Sequence, residues 1–470
     1  MSKKSLGLYI VQLLIILFFL FKDSDAQTFD TAYARKLQDA INTLRSNNSL
    51  VGISAAVYVP GQGLWQGVSG ISSAGQNLTP NHAFLTGSIM KNFVAVMILQ
   101  LEEADSLSID DPLYKWLPRY NNIDSNITIK QLLNHTSGIY SFTDHPSFST
   151  AITSNWNRYW TPEEVVSQYV LAPYFNPGTS WRYSNTNFVL LGMIISKITG
   201  TNLAEQLRSR FYTPLGMNRS FFEPQDTVSG PYAHNWVDLN GDGVPEDAFF
   251  IPRTALFSST IGSSGVVANP ENLIRWSRAL FEGSLLTQAS MNKLISFVPA
   301  ALSGVNGYGL GTFRYNVMGR PCYGHGGNLF GYSCMYMYYP VDSISISLMI
   351  NQDADTGPIS VNFMNKVITL RPVGIQNISA ENPAGYDLQQ NFPNPFNPET
   401  SINFSLPKQS SVRLSVYNSI GVLAQNIFEG KLQSGTYSYK WNAAGFPSGV
   451  YFYKLEADNF LSVKKMTLLK

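Results

Sequence analysis

Residues 86–101 have the sequence TGSIMKNFVAVMILQL. From Ile89 onward, apolar side chains cover nearly the whole circumference of a helix, so the pattern predicts a helix over residues 88–107 that is buried in the middle of a domain. Ser88 and Lys91 fall one helical turn apart on one face at the start of this helix. The stretch therefore predicts the centre of the fold and a candidate nucleophile at its edge.

Strands are predicted on both sides of this helix along the chain. Residues 51–59 and 63–68 form two strands joined by a Pro-Gly turn, and residues 332–339 and 343–350 form two strands around a Pro-Val-Asp turn. A helix over residues 187–197 ends at a glycine. Mixed helices and strands from residue 28 to residue 371 predict an α/β or α+β domain with a sheet flanked by helices.

The spacing of Ser88 and Lys91 suits a serine nucleophile. A lysine removed from water can accept the serine proton, and the serine N–H at a helix N-terminus points toward developing negative charge. Three other Ser-x-x-Lys pairs occur, at residues 290/293, 405/408 and 462/465. The last two fall in predicted strands, where i and i+3 point to opposite faces, and the first lacks the motifs that follow Ser88.

Two further motifs follow Ser88 along the chain. Tyr183-Ser184-Asn185 lies in a predicted turn before a helix, where a phenol and an amide can point into a cleft. The competing match at residues 120–122 lies in a polar loop, and the one at 174–176 leads directly into a proline. His325-Gly326-Gly327 is the only His/Lys-x-Gly in the chain, and its glycines allow a substrate to approach the backbone closely.

These motifs resemble those of the penicillin-recognising serine hydrolases, which include serine D-Ala-D-Ala carboxypeptidases, class C β-lactamases and related esterases. Supporting matches are ITIKQLLNHTSG at 127–138, the stretch 183–192 continuing to Thr199-Gly200, YGLG at 308–311 and YGHGG at 323–327. The resemblance covers roughly residues 30–370. It implies an α/β (α+β) β-lactamase/transpeptidase-like fold, with an antiparallel sheet flanked by helices plus a helical subdomain, and it implies no metal or organic cofactor.

The resemblance also implies a role for each motif residue. Ser88 attacks the substrate carbonyl and becomes acylated, Lys91 and Tyr183 share base and acid duties, and Asn185 holds the substrate amide. His325 is expected near Tyr183, where it tunes the proton affinity of the phenol and favours an anionic substrate group. The backbone N–H groups of Ser88 and Asn328 are expected to form the oxyanion hole. Gly326 and Gly327 are expected beside the substrate. Arg314 is expected to bind the substrate carboxylate.

The third motif bears on the substrate. Histidine at position 325 favours the DD-carboxypeptidase branch over class C β-lactamases, which usually carry lysine there. Gly326 stands where that branch usually carries threonine or serine, so a hydroxyl that could hold a carboxylate is absent. The sequence predicts a D-Ala-D-Ala carboxypeptidase-like serine hydrolase for peptidoglycan-type peptides, with small peptides, esters or β-lactams as the substrate class. The alternatives are an esterase or β-lactamase on the same site and a non-catalytic surface binding protein.

The chain changes character after residue 371. Residues 372–386 are predicted to be a linker, and residues 387–470 a small all-β sandwich, because short alternating segments follow a proline-rich stretch. The tail resembles the C-terminal sorting domain of type IX secretion cargo, in LQQNFPNPFNP at 388–398, VYN at 416–418, SGVYFY at 448–453 and KKMTLLK at 464–470. The resemblance implies the type IX secretion machinery as a partner. A generic sandwich for binding or spacing is the alternative.

The N-terminus predicts a signal peptide over residues 1–26, cleaved before Gln27, because two lysines precede an apolar run and small residues follow it. An uncleaved anchor is the alternative. The expected product is secreted or bound at the cell surface, exported through the periplasm and outer membrane, with no transmembrane span after signal cleavage and residues 27–371 as its hydrolase domain. The chain carries 32 Lys+Arg against 31 Asp+Glu, which excludes the clustered basic excess typical of nucleic-acid binding.

Three smaller features complete the sequence analysis. Cys322 and Cys334 are either two small buried residues or one disulfide. The segment DLNGDGVPED at 238–247 resembles the first half of a calcium loop, with Asp238, Asn240 and Asp242 as its ligands. The favoured interpretation is a plain polar turn, with calcium binding as the alternative, because the glutamate expected at the twelfth position is absent. His135 is interpreted as a residue that fixes a turn after a helix.

Overall fold

The computed structural model describes residues 29–283, 285–302, 304–371, 376–379 and 383–470. The predicted signal peptide, residues 1–26, lies outside the described residues and stays a prediction. The chain divides into two compact units between Leu370 and Arg371. Each unit builds its own apolar core.

An antiparallel sheet forms the centre of the first unit. The strands of this unit are β1 Gly52–Val59, β2 Gly63–Ser73, β3 Gln76–Asn77, β4 Phe84–Leu85, β5 Ser220–Phe222, β6 Trp236–Val237, β7 Glu246–Asp247, β8 Val266–Ala268, β9 Gly307–Tyr308, β10 Phe313–Val317, β11 Arg320–Leu329, β12 Tyr332–Tyr339 and β13 Ile344–Ile350. Eight of them pair in the order β3-β2-β1-β13-β12-β11-β10-β9. All residues of β12 and β13 are buried, as expected for strands covered on both faces.

Helices cover both faces of this sheet. They are α1 Thr31–Asn47, α2 Met90–Glu103, α3 Ile129–Leu133, α4 Phe148–Thr153, α5 Pro162–Tyr169, α6 Asn185–Thr199, α7 Leu203–Leu207, α8 Thr254–Ser259, α9 Pro270–Phe281, α10 Gln288–Leu294 and α11 Thr356–Leu370. Helices α1 and α11 share one apolar cluster with the sheet, and α2 shares the other with α3 to α7. The predicted α/β (α+β) fold with an antiparallel sheet between helices is confirmed.

Helix α2 is the buried helix that its sequence predicts. Nearly all of its side chains are buried, including polar Lys91 and Asn92. It ends at Glu103, earlier than predicted, because the Ala104 N–H bonds the Gln100 carbonyl and Asp105 takes a φ of +53°. Among the described residues no single helix is long and apolar enough to cross a membrane. The helices at 185–199 and 203–212, which meet at a bend of 79°, are together long and apolar enough to span a membrane by length and composition alone.

The second unit is a sandwich of two antiparallel sheets. Its strands are β14 Gln376–Ser379, β15 Asp387–Leu388, β16 Glu399–Leu406, β17 Ser410–Asn418, β18 Leu423–Leu432, β19 Gly435–Asn442, β20 Gly449–Ala457 and β21 Phe460–Leu468. One sheet has the order β14-β19-β16-β15 and the other β18-β17-β20-β21. A single apolar cluster takes side chains from both sheets. The predicted all-β sandwich is therefore confirmed.

Three strands of this unit, β14, β15 and β18, were not predicted from the sequence. Residues 376–379, placed in the 372–386 linker by prediction, form β14 at a sheet edge and pair with β19. An edge strand needs one neighbour only, so it requires no strong apolar pattern. Strand β18 was not predicted, because its residues alternate between exposed and half-buried rather than between exposed and buried.

Candidate active site

Ser88 lies in a single 3₁₀ turn, Gly87–Ile89, directly before α2. From residue 82 to residue 99 it is the one residue that is not fully buried. The main chain of β11 passes close to this turn: a Cβ atom on Gly327 would stand 2.5 Å from the Ser88 nitrogen and 2.1 Å from the Thr86 carbonyl oxygen. The absence of a side chain at Gly327 therefore allows the strand to lie against the candidate nucleophile.

Lys91 is fully buried beside Ser88. Its Nζ donates hydrogen bonds of 2.9 Å to the Ser88 Oγ and of 2.9 Å to the Ser263 carbonyl oxygen. The same atom lies 5.0 Å from the centre of the Tyr183 ring and 5.7 Å from that of Phe188. Burial lowers the pKa of Lys91 well below its usual range because the charged form loses its hydration. This geometry prepares a neutral amine to take a proton from Ser88.

Tyr183 reaches Ser88 from another side. Its hydroxyl shares a hydrogen bond with Ser88, while burial raises the pKa of the phenol above its usual value. The phenol therefore keeps its proton at neutral pH. The structure brings Ser88, Lys91 and Tyr183 together, although they come from two separate stretches of the sequence.

Asn185 is the first residue of α6. Its backbone N–H donates to the Ser141 Oγ at 3.1 Å, and its Nδ2 donates to the Thr143 Oγ1 at 3.1 Å. Ser141 and Thr143 belong to the loop that follows α3. Because both ends of Asn185 are held by this loop, its amide is fixed beside the Tyr183 segment.

His325 lies on β11 and is fully buried. Its Nδ1 donates to the Gly326 carbonyl oxygen at 2.6 Å, and its Nε2 accepts from the Tyr308 hydroxyl at 3.1 Å. Tyr308, rather than Tyr183, is thus the phenol bonded to it, and the rings of those two tyrosines lie 6.2 Å apart. Burial lowers the pKa of His325 to about 3. A neutral imidazole supplies no positive charge to an anionic substrate group, contrary to expectation.

The remaining predicted residues lie on β10 and β11. Asn328 is exposed, and its Nδ2 donates to the Ser333 Oγ at 3.0 Å and to the Ala354 carbonyl oxygen at 2.8 Å. Its backbone nitrogen would stand 3.1 Å from a Cβ atom on Gly87, so it faces the Ser88 turn. Gly326 and Gly327 precede it on the same strand. The two N–H groups predicted for an oxyanion hole therefore belong to facing segments.

Arg314 has other contacts than those predicted for a carboxylate-binding residue. Its Nη2 donates to the Asn306 carbonyl oxygen at 2.8 Å, and its guanidinium lies 5.2 Å from the centre of the Phe297 ring. These contacts hold the side chain against neighbouring residues at the sheet edge.

Sequence reasoning missed His135 as a residue of this site. A φ of +63° agrees with the predicted turn, but the buried ring also lies 4.3 Å from the ring of Tyr183 and 4.8 Å from that of Tyr308. The sequence contains no spacing signal for this contact, because His135 and Tyr183 are far apart in the chain. The available clue was that His135 itself belongs to the match at 127–138.

The predicted calcium ligands are engaged in a polar turn. The Asp238 carboxylate accepts backbone N–H groups of Gly241, Asp242 and Gly243 at 2.7–3.1 Å. The side chains of Asn240 and Asp242 likewise accept backbone N–H groups at 2.8 Å. The described residues contain no group of three or more His, Cys, Asp or Glu side chains that could hold a metal ion.

The two cysteines are free and buried. Cys322 donates to the Tyr338 carbonyl oxygen at 3.1 Å, and Cys334 donates to the Leu85 carbonyl oxygen at 3.3 Å. The disulfide alternative is thereby excluded in this structure.

Comparison with known proteins matches both units of the chain. The Beta-lactamase family model matches residues 37–368, and the Secretion system C-terminal sorting domain model matches residues 390–468. Penicillin-binding protein 4* of Bacillus subtilis (strain 168) is 28% identical over 294 residues, which are 59% of this chain and 63% of that protein. The chain thus spans less than two thirds of the length of that relative.

Two solved structures resemble the first unit. A D-stereospecific amidohydrolase from Streptomyces sp. is 29% identical with a TM-score of 0.62, over 70% of this chain and 97% of that one. D-amino acid amidase from Ochrobactrum anthropi SV3, complexed with D-phenylalanine, is 25% identical with a TM-score of 0.64, over 72% of this chain and 99% of that one.

The sorting domain marks the chain as exported, either secreted or held at the cell surface, and implies the type IX secretion machinery as its partner. The larger match spans the antiparallel sheet, its helices and the residues around Ser88. The chain therefore belongs to the beta-lactamase family of serine hydrolases and carries a C-terminal secretion sorting domain.

Proposed function

We propose that the chain is a secreted serine hydrolase that forms an acyl-enzyme at Ser88 and removes the last residue from peptides ending in D-Ala-D-Ala. The observation that carries this proposal is the buried Lys91 amine, 2.9 Å from the Ser88 Oγ. A relative named for penicillin binding and two similar structures named for D-specific amide hydrolysis support the substrate class.

The position of Lys91 against the Ser88 Oγ, together with the opposite pKa shifts of Lys91 and Tyr183, supports Lys91 as the base and Tyr183 as the acid. Burial lowers the pKa of Lys91 and raises the pKa of Tyr183, so the amine loses its proton more easily and the phenol keeps its own. Lys91 therefore takes the Ser88 proton as the Oγ bonds to the substrate carbonyl carbon. Tyr183 donates a proton to the leaving amine as the C–N bond breaks, and Lys91 restores the phenol.

Negative charge forms on the substrate carbonyl oxygen during this step. The N–H groups of Ser88 and Asn328, on facing segments, are the proposed donors to it. Asn185, held at both ends by the loop after α3, orients the amide on the acyl side. Water then hydrolyses the acyl-enzyme ester by the same proton carriers acting in reverse.

A second candidate function is hydrolysis of D-amino acid amides or of N-terminal D-residues. The contacts of Arg314 with Asn306 and Phe297 favour it, because a carboxypeptidase needs a cation or hydroxyl for the substrate carboxylate. Gly326 provides no hydroxyl, and His325 is neutral. The two similar structures named for D-specific amide hydrolysis support the same candidate.

Intact mass of the mature protein after brief exposure to a penicillin tests the acylation, with Ser88→Ala as the control. A stable adduct that requires Ser88 supports the DD-peptidase. Hydrolysed penicillin without an adduct points to a β-lactamase, and intact penicillin without an adduct moves weight to an esterase or a binding protein. Release of D-alanine from D-Ala-D-Ala peptides, compared with ammonia from D-amino acid amides, separates the two leading candidates.

A further inference from the structure

His135 adopts a backbone conformation that its residue type seldom takes. Its φ of +63° lies in the left-handed region, where glycine and asparagine are accommodated more easily. The side chain is fully buried in the first unit. A turn alone therefore does not account for a histidine at this position, and the contacts of the imidazole need a separate explanation.

His135 makes three contacts with the segment that carries Tyr183. The His135 carbonyl oxygen accepts the Arg182 N–H at 3.1 Å, and the His135 Nδ1 accepts the Ser184 N–H at 3.2 Å. These two donors are the residues directly before and after Tyr183. The imidazole itself lies 4.3 Å from the Tyr183 ring, inclined at 35°. His135 therefore holds both the main chain next to Tyr183 and the ring of Tyr183, the candidate proton donor.

The hydrogen bonds of His135 also define where its proton lies. A backbone N–H can only donate, so the Nδ1 that accepts from Ser184 carries no proton. Asn187 Nδ2 lies 3.2 Å from the same nitrogen, and the Asn187 Oδ1 accepts from the Ser137 hydroxyl at 2.8 Å, which orients this amide. The neutral ring therefore bears its proton on Nε2.

The Nε2–H of His135 is buried and makes no hydrogen bond within the described part of the chain. A buried donor without an acceptor is costly and rare in native proteins. The rings of Tyr183, Tyr308, Trp181 and Phe188 surround the imidazole. Burial keeps the imidazole neutral by lowering its pKa.

We propose that His135 is a positioning residue for Tyr183: it fixes the main chain on both sides of Tyr183 and keeps an uncommitted Nε2–H in the ring cluster. The ring packed against Tyr183 holds the phenol where its hydroxyl shares a hydrogen bond with Ser88. The inference rests on the proposed serine acylation and adds a residue to it. His135 touches neither the substrate nor Ser88 in this assignment and acts through Tyr183.

The variant His135→Asn separates the two parts of this role. An asparagine suits the left-handed backbone and can accept the Ser184 N–H, but it has neither the ring nor the Nε2–H. A fluorophosphonate probe measures the chemistry without knowledge of the substrate: the Ser88 Oγ bonds to phosphorus, fluoride leaves, and the serine proton passes to Lys91. We expect the variant to melt near the wild-type temperature and to be labelled at least about 10-fold more slowly, within the loss on the order of 100-fold that misplacing a catalytic group by about 1 Å can cause.

His82 offers a matched control. It is buried, and its Nδ1 accepts the Thr79 N–H at 2.9 Å, so His82→Asn makes the same chemical change away from Tyr183. We expect His82→Asn to be labelled at the wild-type rate. We also expect His135→Asn to keep the wild-type midpoint of the pH–rate profile and to lower only its plateau, because Lys91 rather than Tyr183 loses its proton along the rising limb. A general disturbance of the site would shift that midpoint.

Failure of this inference differs from failure of the proposed function. A wild-type protein that is not labelled, or labelled equally in Ser88→Ala, overturns both. A labelled wild type with His135→Asn at the same rate overturns the role of His135 alone. Nitrogen-15 NMR of the histidines provides a measurement that does not depend on the variant folding: we expect the His135 proton on Nε2 without titration between about pH 5 and 8, and a proton on Nδ1 overturns the assignment.

Discussion

Gly327 lacks a Cβ atom, and both the packing of β11 and the geometry of the candidate site depend on this lack. A Cβ atom there would stand 2.1 Å from the Thr86 carbonyl oxygen and 2.5 Å from the Ser88 nitrogen, whereas ordinary contact begins at 3.4 Å. Both neighbours are backbone atoms that cannot rotate away. Gly327→Ala therefore forces β11 and the Ser88 turn apart by about 1.3 Å at the closest contact, or displaces one of them by that amount.

A displacement of this size sets the expected loss. Misplacing catalytic groups by about 1 Å can cost on the order of 100-fold in rate, which corresponds to about 2.7 kcal/mol in activation free energy. Overpacking of a close contact costs a further ~1–3 kcal/mol in the free energy of unfolding. We expect Gly327→Ala to remain folded, with a lower melting temperature, and to lose at least about 100-fold in the rate of Ser88 acylation.

The neighbouring glycine provides the control. A Cβ atom on Gly326 would stand 2.8 Å from the Met335 Cε, which is the tip of a flexible side chain and can move. We expect Gly326→Ala to acylate within a few-fold of wild type. The assay is the rate of covalent labelling of Ser88, with thermal melting measured in parallel. Wild-type labelling by Gly327→Ala, or equal damage from both substitutions, would refute the reasoning.

Four further predictions follow from the described contacts. Lys91→Met abolishes acylation but raises the free energy of unfolding by about 1–4 kcal/mol, because a buried amine is replaced by an apolar side chain. Urea titration measures this free energy, and a variant that is no more stable than wild type contradicts the prediction. Burial lowers the pKa of Lys91, so the acylation rate rises with pH below the usual lysine range, as a pH–rate profile will measure. The free energy of unfolding also rises with pH there, because the unfolded chain binds the Lys91 proton more tightly than the folded chain. Thermal melts across pH measure this second effect. Calcium and a chelator give the same melting temperature, because Asp238 already accepts backbone N–H groups; a rise with calcium would revive the metal site. Cys322 and Cys334 react with a thiol reagent only in denaturant, because both are buried and burial raises the pKa of each thiol; rapid reaction of the folded protein would show that these side chains are accessible.

Local pattern predicted the elements that hold the site. The apolar circumference of α2 and the strands at 332–339 and 344–350 depend on residues that are close in the chain, and the structure contains them. The strand at 376–379 and β18 have no strong apolar face of their own. Their existence depends on a neighbouring strand that lies far along the sequence, so local periodicity gave no signal for them.

The residues of the candidate site also differ in whether local sequence could predict their contacts. Ser88 and Lys91 lie one turn apart on the chain, and a motif sufficed to place them together. The hydrogen bond between Tyr308 and His325 depends on the pairing of β9 with β10 and of β10 with β11. Sequence reasoning placed His325 near Tyr183 and missed Tyr308 as its hydrogen-bond partner. His135 reaches Tyr183 through the loop that follows α3, which no spacing in the sequence encodes.

Export adds a constraint that the site alone lacks. The sorting domain directs the hydrolase past the outer membrane, whereas the peptidoglycan of the producing cell lies in the periplasm. A D-Ala-D-Ala carboxypeptidase at that location therefore meets wall fragments from other cells or soluble D-residue peptides, and turnover of its own wall is disfavoured. A neutral His325 and an Arg314 held by Asn306 leave the substrate carboxylate without an assigned cation. Location and geometry together favour small diffusible D-residue amides and peptides over an anchored wall polymer as the natural substrates.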